Sequence, residues 1–195
     1  MLLSSLSDLA RQSLAALRVL VVLTLVLGVA YPVVVWGAGR AFGDRASGQP
    51  VTVDGVVVGS RLIGQTFEGD QWFQSRPSAG DHDTLASAPS NLGPLNPDLT
   101  AAIEERRAAV ALRESVPEAR VPADAVTASG SGLDPQISPA YAELQVDRVA
   151  RANGLDPATV RDLVAEHTRG RFLGIHGEPG VAVLELNLAV ADASR

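Results

Sequence analysis

The stretch TASGSGLDPQISPAYAELQVDRVARANG, residues 127–154, joins a loop rich in glycine, serine and proline to a helical pattern. Ser138 is a preferred helix-capping residue, Pro139 suits the first helical position, and Gly154 stands where a helix would end. The apolar positions recur on one face: Ala142, Val146 and Val149. This spacing predicts a helix from Pro139 to about residue 152 that packs on a domain core. Its other face is predicted to be solvated and carries Glu143, Gln145 and Arg148.

The loop before this helix admits two interpretations. Glycine-rich chain leading into a helix N-terminus can hold phosphate, because free N–H groups and the helix dipole point to the same place. However, the loop lacks the Gly-Lys-Ser/Thr ending of a P-loop, and the carboxylate of Asp134 would repel phosphate. The pattern favours a rigid turn with two caps, Asp134-Pro135 and Ser138-Pro139. The residues of this motif are Ser129, Gly130, Ser131, Gly132, Asp134, Pro135, Ser138 and Pro139.

Helical and extended patterns continue on both sides of this stretch. Downstream, Asp156-Pro157 begins a predicted helix that runs to about Thr168, with Gly170 as its stop. The run VAVLELNLAV, residues 181–190, alternates between apolar and other residues and predicts a half-buried strand. Upstream, Asn96-Pro97 begins a predicted helix that ends near residue 115, and residues 115–126 are predicted to be loop or short strand.

The segment before residue 97 reads as extended chain and loop. VTVDGVVVGS, residues 51–60, places two β-branched runs around Asp54-Gly55, which predicts a hairpin. The apolar residues of LIGQTF (62–67) and QWF (71–73) suit a neighbouring strand or edge. Residues 75–97 are rich in turn-forming residues, so a long loop is predicted there. Together the elements predict an α+β domain on a stalk.

Residues 19–38, VLVVLTLVLGVAYPVVVWGA, contain no charged residue. Twenty helical residues span roughly 30 Å, the thickness of a bilayer's hydrocarbon core, so a transmembrane anchor is predicted. Tyr31 and Trp36 suit the headgroup zone, and Pro32 is expected to kink or loosen the last turns. The arginines on the two sides are nearly balanced and lean weakly towards a cytoplasmic N-terminus. The predicted organisation is a cytoplasmic segment 1–18, a membrane helix 19–38 and an extracytoplasmic domain 39–195.

Composition removes several function classes. The chain has no cysteine and no lysine, and its net charge is −6. It therefore has no thiolate metal site, P-loop lysine or Schiff-base lysine, and its acidity argues against binding nucleic acid. The DHD triplet at residues 81–83 predicts a solvated turn and no metal site, because three adjacent residues rarely point at one ion.

A hydrolase is the remaining enzyme hypothesis. Its nucleophile and base would come from Ser129, Ser131, Asp134 and the histidines His82, His167 and His176, with Ser131 as the first candidate for the nucleophile. Because the sequence around Ser131 lacks the Gly-x-Ser-x-Gly elbow and follows no convincing strand, the pattern does not favour this hypothesis.

Six strings carry a resemblance to a known family. They are YP (31–32), GSRLIGQTF (59–67), SRPSA (75–79), SNLGPLNP (90–97), VPADAVTASGSGLDPQISPAYAELQVDRVARANG (121–154) and HTRGRFLGIHGEPGVAVLELNLA (167–189). In this order they resemble the C subunit of the bacterial Kdp potassium-transporting P-type ATPase over nearly the whole chain.

The resemblance implies a non-catalytic, single-span accessory subunit of the inner membrane, with its C-terminal domain outside the cytoplasm. Its partners would be a channel-like potassium-binding subunit, an ATP-hydrolysing P-type subunit and a small single-helix subunit. The complex would handle ATP and potassium, and this chain would bind no cofactor on its own. Its helix would pack against the potassium-binding subunit, and its domain would cover that subunit's ion entrance and stabilise the complex.

The family is also described as a catalytic chaperone that raises the pump's affinity for ATP, with a glutamine matching Gln145 as a nucleotide contact. An extracytoplasmic domain contradicts direct contact, because a bilayer would separate Gln145 from ATP. The sequence also departs from the family pattern in three strings: Gln136 replaces histidine, APSNLGP replaces GGSNLGP, and GEPGVAVL replaces GEPRVNVL. The last change puts Gly180 and Ala182 where arginine and asparagine are usual, which weakens any contact assigned to those side chains.

Overall fold

The computed structural model describes the backbone of residues 2–195 and the side chains of residues 7–195. The first residue of the predicted 1–18 segment lies outside the described residues. Contacts divide the chain into one unit that ends at Gln49 and a second unit, Pro50–Arg195.

The first unit is dominated by one continuous helix. It consists of α1 (Leu2–Leu25), a π-helical turn (Val26–Ala30) and α2 (Tyr31–Arg40). Residues 7–40 of it, 34 in number, have a mean hydropathy of 2.5 in their most apolar window, and none of that window is buried among the described residues. At about 1.5 Å per residue they extend roughly 50 Å, more than the ~30 Å of a hydrocarbon core. The predicted segment 19–38 thus lies inside a helix that can cross a membrane.

The π turn explains how the helix accommodates Pro32. Proline has no N–H, and its ring crowds the carbonyl four residues earlier, here that of Gly28. The turn widens at this point, and Tyr31 N–H donates to the carbonyl of Val26. The predicted loosening is confirmed, but it lies on the N-terminal side of Pro32 and not in the last turns. At the end of α2 the Arg40 guanidinium lies 5.6 Å from the centre of the Trp36 ring.

The second unit begins with the predicted hairpin. β1 (Pro50–Val53) and β2 (Val56–Ser60) pair antiparallel. Asp54 and Gly55 both have positive φ, 51° and 81°. Two consecutive residues of this kind form the type I′ turn that matches the twist of paired strands. The strand suggested for LIGQTF or QWF was wrong, because only a single bridge, Ser60 to Ile63, extends this pairing.

Three predicted helices are confirmed with their caps. α3 is Pro97–Glu114, α5 is Pro139–Asn153 and α6 is Pro157–Glu166. The capping side chains of Asn96, Ser138 and Asp156 each accept a backbone N–H. Residues 75–96 contain no helix or strand, as predicted.

Two further predictions were only partly right. Residues 115–126 contain a 3-10 turn (Glu118–Arg120) and the short helix α4 (Ala123–Val126), with no strand. The third predicted helix ends at Glu166, two residues early, because Thr168–Arg169 form strand β4. β4 pairs antiparallel with β5 (Gly180–Ala182), which also pairs antiparallel with β3 (Gln136–Ile137), so β5 is the central strand of the sheet.

The predicted strand 181–190 was also wrong beyond β5, because Val183–Ala193 form helix α7. Val183, Leu186 and Val190 recur at helical spacing and are fully buried. The alternating leucines fitted a strand equally well by periodicity, since a short apolar run satisfies both patterns.

The domain core surrounds α5. Its largest fully buried apolar side chains come from the loop before α3 and from β3, α5, α6, β5 and α7: Phe73, Ile137, Val146, Val149, Val160, Val181, Val183, Leu186 and Val190. The second unit therefore has the predicted α+β composition, with helices packed around a small antiparallel sheet.

Gly64 marks a close approach of two loops in this unit. Its N–H donates to the carbonyl of Leu133 at 2.8 Å. A Cβ at this position would collide with the backbone carbonyl of Asp134, and it would lie 3.4 Å from Cδ2 of His82. Because backbone cannot move aside as a side chain can, only glycine fits.

We expect Gly64→Ala to destabilise the purified full chain by roughly 1–3 kcal/mol, because the added methyl group overpacks a backbone contact. Gly93→Ala is the control, since a Cβ there meets nothing within 4 Å. Thermal unfolding in detergent measures both variants. Equal unfolding temperatures for the two variants would contradict the close approach.

Candidate functional site

Residues 127–135, which we name the glycine-serine loop, have hydrogen-bond partners within the chain for most of their backbone N–H groups. Ser129 N–H donates to Pro77 O at 2.9 Å, and Gly132 N–H to Ser129 O at 3.2 Å. Ser131 Oγ accepts from Leu133 N–H at 3.1 Å. N–H groups that already have partners cannot converge on a phosphate without losing those bonds.

The N-terminus of α5 is occupied by a carboxylate of the chain itself. Ser138 Oγ accepts from Tyr141 N–H at 3.0 Å, which is the predicted cap. Asp124 accepts from Ser138 N–H at 2.7 Å and from Ser138 Oγ at 2.8 Å. An acidic side chain here interacts favourably with the helix dipole and fills the place that a bound anion would take. The arrangement favours the capped turn over the phosphate cradle.

Asp134 does not cap a helix, so the double cap was half wrong. Its carboxylate accepts from Gln136 N–H at 3.1 Å and closes a local turn, and the next residues form β3. Its other oxygen pairs with Arg76 Nη1 at 2.9 Å. Arg76 Nη2 also donates to Thr127 O at 3.2 Å, so one guanidinium holds both ends of the loop. Pro135 O accepts from Val183 N–H at 3.1 Å and ties the loop to α7.

The predicted polar face of α5 is largely buried, contrary to expectation. Gln145 and Arg148 are 0% and 6% exposed, respectively. Only Glu143 is solvent-exposed as predicted, where it accepts from Arg161 at 2.7 Å. The difference arises because residues 70–74 cover this face of the helix.

Arg148 is the centre of a buried polar network. Its Nε donates to both carboxylate oxygens of Glu114 at 3.0 Å. Nη1 donates to the carbonyls of Asp70 at 2.5 Å and Trp72 at 3.0 Å, and Nη2 donates to Gln145 Oε1 at 2.8 Å. The rigid donor fork of arginine thereby joins α3, α5 and the covering segment.

Two amide side chains hold this segment in the way that a neighbouring strand would. Gln145 accepts from Gln74 N–H at 2.7 Å and donates to Gln74 O at 3.3 Å. Asn187 on α7 accepts from Phe73 N–H at 2.8 Å and donates to Phe73 O at 3.0 Å. Each side chain reproduces the two-point pairing of a peptide group, so Phe73 can be buried without unpaired backbone. We name residues 70–74 the clamped segment.

Burial changes the ionisation of groups beside this network. It raises the pKa of the Glu114 carboxyl, while the charge and hydrogen bonds of Arg148 oppose that rise. Burial, followed by the negative charge of Glu114, raises the pKa of Tyr141 to about 12. Tyr141 therefore keeps its proton even in alkaline solution in which an exposed tyrosine would lose it.

The geometry bears directly on the predicted nucleotide contact. Gln145 has no exposed surface, and both polar atoms of its side chain have partners within the chain. A nucleotide could reach it only after the clamped segment moved away.

The residues considered for metal binding or hydrolysis do not converge. Among the described residues, no group of three or more histidine or acidic side chains is placed to hold a metal ion. Asp81 and His82 both have positive φ, as in the predicted turn, and His82 Nδ1 lies 3.1 Å from Thr66 Oγ1. Ser131 Oγ contacts Ser129 Oγ and Leu133 N–H, neither of which is a base. The contacts of Ser131 therefore give no support to hydrolysis.

Of the residues at which the sequence departs from the pattern that the resemblance implies, Gln136, Gly180 and Ala182 form one patch. Gln136 on β3 lies opposite Ala182 on β5. A Cβ at Gly180 would come within 2.5 Å of Gln136 Oε1. An arginine at position 180 would therefore require Gln136 to change conformation, so the substitutions at 136 and 180 are physically coupled.

Sequence reasoning missed Glu114 and Asn187. Asn187 lies at the helical spacing of Val183 and Val190, a signal hidden by the strand interpretation. Glu114 lies at the C-terminus of α3, where the helix dipole disfavours a carboxylate. That unfavourable position indicated a cationic partner such as Arg148.

We expect Arg148→Met to destabilise the full chain by about 3–5 kcal/mol, since it leaves Glu114 buried without its partner. Arg161→Met is the control, because that arginine forms exposed ion pairs that solvent screens, so its loss should change the stability far less. The double variant Arg148→Met/Glu114→Leu should recover part of the loss. Thermal unfolding measures all three, and similar losses for Arg148→Met and Arg161→Met would contradict a buried network.

We also expect the free energy of unfolding of the chain to depend on pH through His82. Burial lowers its pKa from 6.5, although the charge of Asp81 opposes this. The folded state therefore prefers the neutral ring, and this contribution is complete above pH 6.5 and is lost as the pH falls below it. His82→Gln should lose less stability than the parent chain between pH 8 and pH 5. Parallel pH curves for unfolding would show that His82 is not responsible.

Comparison with known proteins identifies the family. The profile for "K+-transporting ATPase, c chain" matches residues 13–192. The "Potassium-transporting ATPase KdpC subunit" of Kineococcus radiotolerans is 57% identical over 192 residues, which cover 97% of this chain and 98% of that protein. Proteins of the same name from Beijerinckia indica (52% identical, 88% of each chain) and Streptomyces coelicolor (45% identical, 97% of this chain and 96% of that protein) also match. The chain therefore belongs to the family of K+-transporting ATPase c chains.

Proposed function

We propose that this chain is a non-catalytic accessory subunit that stabilises a potassium-importing ATPase complex. The observation that carries the proposal is the long apolar helix, whose membrane-spanning window is not buried by the chain itself. Such a surface is satisfied by lipid, and in a membrane it is free to pack against the helices of other subunits. In our proposal the neighbours are the potassium-binding subunit, the ATP-hydrolysing subunit and the small single-helix subunit.

The proposed topology places the N-terminus in the cytoplasm and the α+β domain outside it. The domain then covers the ion entrance of the potassium-binding subunit and braces the complex during ATP-coupled import. The hydrogen bonds between Asp124 and Ser138 support a bracing role, because Asp124 and not a phosphate then binds at the N-terminus of α5. ATP and potassium are handled by the complex, and this chain holds no cofactor of its own.

A direct effect on nucleotide affinity through Gln145 is the competing hypothesis and stays a prediction. It requires a cytoplasmic domain and displacement of the clamped segment. The two hypotheses therefore differ in topology, which a labelling experiment can decide.

The absence of natural cysteine makes the topology measurable. We expect Leu95→Cys, at a side chain that is 96% exposed, to react in intact cells with a membrane-impermeant maleimide. Gln12→Cys should react only after the inner membrane is opened. The reverse pattern would overturn the proposed topology and favour nucleotide contact.

Assembly is tested by purifying the tagged full chain from membranes. We expect the other three subunits to co-purify, with potassium-stimulated ATP hydrolysis that disappears when this chain is omitted from the preparation. Full hydrolysis and potassium uptake without this chain would contradict the accessory role.

A further inference from the structure

A hydrophobic turn projects from the hairpin that joins β4 to β5. Phe172 N–H donates to His176 O at 2.8 Å, and His176 N–H donates to Phe172 O at 3.0 Å. Leu173 and Gly174 between them have positive φ, 52° and 77°, as in the tight turn of a hairpin. The turn therefore has a defined backbone of its own.

Three large apolar side chains on this turn face solvent. Phe172, Leu173 and Ile175 are 70%, 77% and 71% exposed. None belongs to the hydrophobic core or to the apolar residues packed against it. We name these three residues the apolar tip. Clustered exposed apolar side chains typically mark a contact with a protein or a membrane.

The backbone at the tip is unfavourable for the residue it contains. A leucine with left-handed backbone is rare and costs free energy that glycine would avoid. Leu173 nevertheless stands at the first left-handed position, and its side chain gains no burial in this chain in return. A contact with another molecule would bury this side chain and offset the cost of its backbone conformation.

Charges beside the tip are balanced. Arg171 Nη2 pairs with Glu178 at 3.0 Å, and Arg169 Nη2 pairs with Glu185 at 2.7 Å. The two arginines of this rim, Arg169 and Arg171, are therefore already paired and are not free to bind anionic lipid. The whole unit Pro50–Arg195 carries twelve arginines against twenty acidic residues, a net charge of −8. An anionic membrane surface would repel such a unit.

We propose that the apolar tip inserts into an apolar pocket on another protein subunit of the ATPase, in surroundings that are neutral or basic. The charge of the unit complements such a surface, and the paired rim charges can stay hydrated at the edge of the pocket. Because the backbone of the turn is already formed, insertion orders few additional residues. This inference rests on the proposed function, which supplies the partner subunits.

Photo-crosslinking in membranes tests the proposal directly. Ile175→Cys in the full chain, labelled with benzophenone maleimide, should form a covalent adduct with another subunit after illumination. Leu85→Cys is the matched control, since that side chain is 96% exposed in a loop without neighbouring apolar exposure. An adduct only with lipid, an adduct only with a second copy of this chain, or no adduct at position 175 would each overturn the inference.

Substitution gives an independent test. Phe172→Ser should reduce the co-purified subunits by roughly tenfold or more, as loss of a central aromatic contact does. Leu85→Ser should leave co-purification unchanged, and thermal unfolding of both isolated chains should match the parent because both side chains are exposed. If the parent chain recovers its partners and Phe172→Ser recovers them equally, the tip inference fails while the proposed function stands. If the parent chain itself recovers no partner, both fail.

Discussion

The fold of the second unit depends on the two-oxygen hydrogen bonding between Arg148 and Glu114. This pair neutralises two buried charges, and the remaining donors of the guanidinium hold the backbone of the clamped segment. Phe73 on that segment is fully buried, so its insertion into the core depends on backbone partners that no sheet provides. The same arginine fixes Gln145, which pairs with the next residue of the segment. The stability of the core therefore depends on the buried ion pair being intact.

A second internal charge determines how the glycine-serine loop is interpreted. Residues that often surround phosphate are present, but Asp124 binds the cap of α5 and Arg76 holds the two ends of the loop. Both charged groups thus stabilise the loop conformation itself. Rigid surface geometry of this kind suits the bracing role that we propose for the chain.

Local signals predicted part of this structure well. The helix starts at Asn96, Ser138 and Asp156 were predictable, because a capping side chain and the proline that follows it determine the first turn through local contacts alone. Asp54-Gly55 fixed the hairpin for the same reason. Burial of Gln145 and Arg148 could not be predicted from α5 alone, because the segment that covers them comes from about seventy residues earlier in the chain. The strand prediction for residues 183–190 failed because an apolar run of that length fits both helical and extended periodicity. Only its packing in the folded domain distinguishes the two.

The π turn before Pro32 has a consequence for the phase of the membrane helix. Each α-helical residue advances the side-chain direction by about 100°, and a π turn contains one residue more than the α-helical turn it replaces. Side chains after Ala30, including Trp36, are therefore rotated by about that angle from the direction they would have in an uninterrupted helix. The side chains before and after the π turn therefore point in different directions around the helix axis. The two halves of this helix can thus contact neighbours that lie on different sides of it.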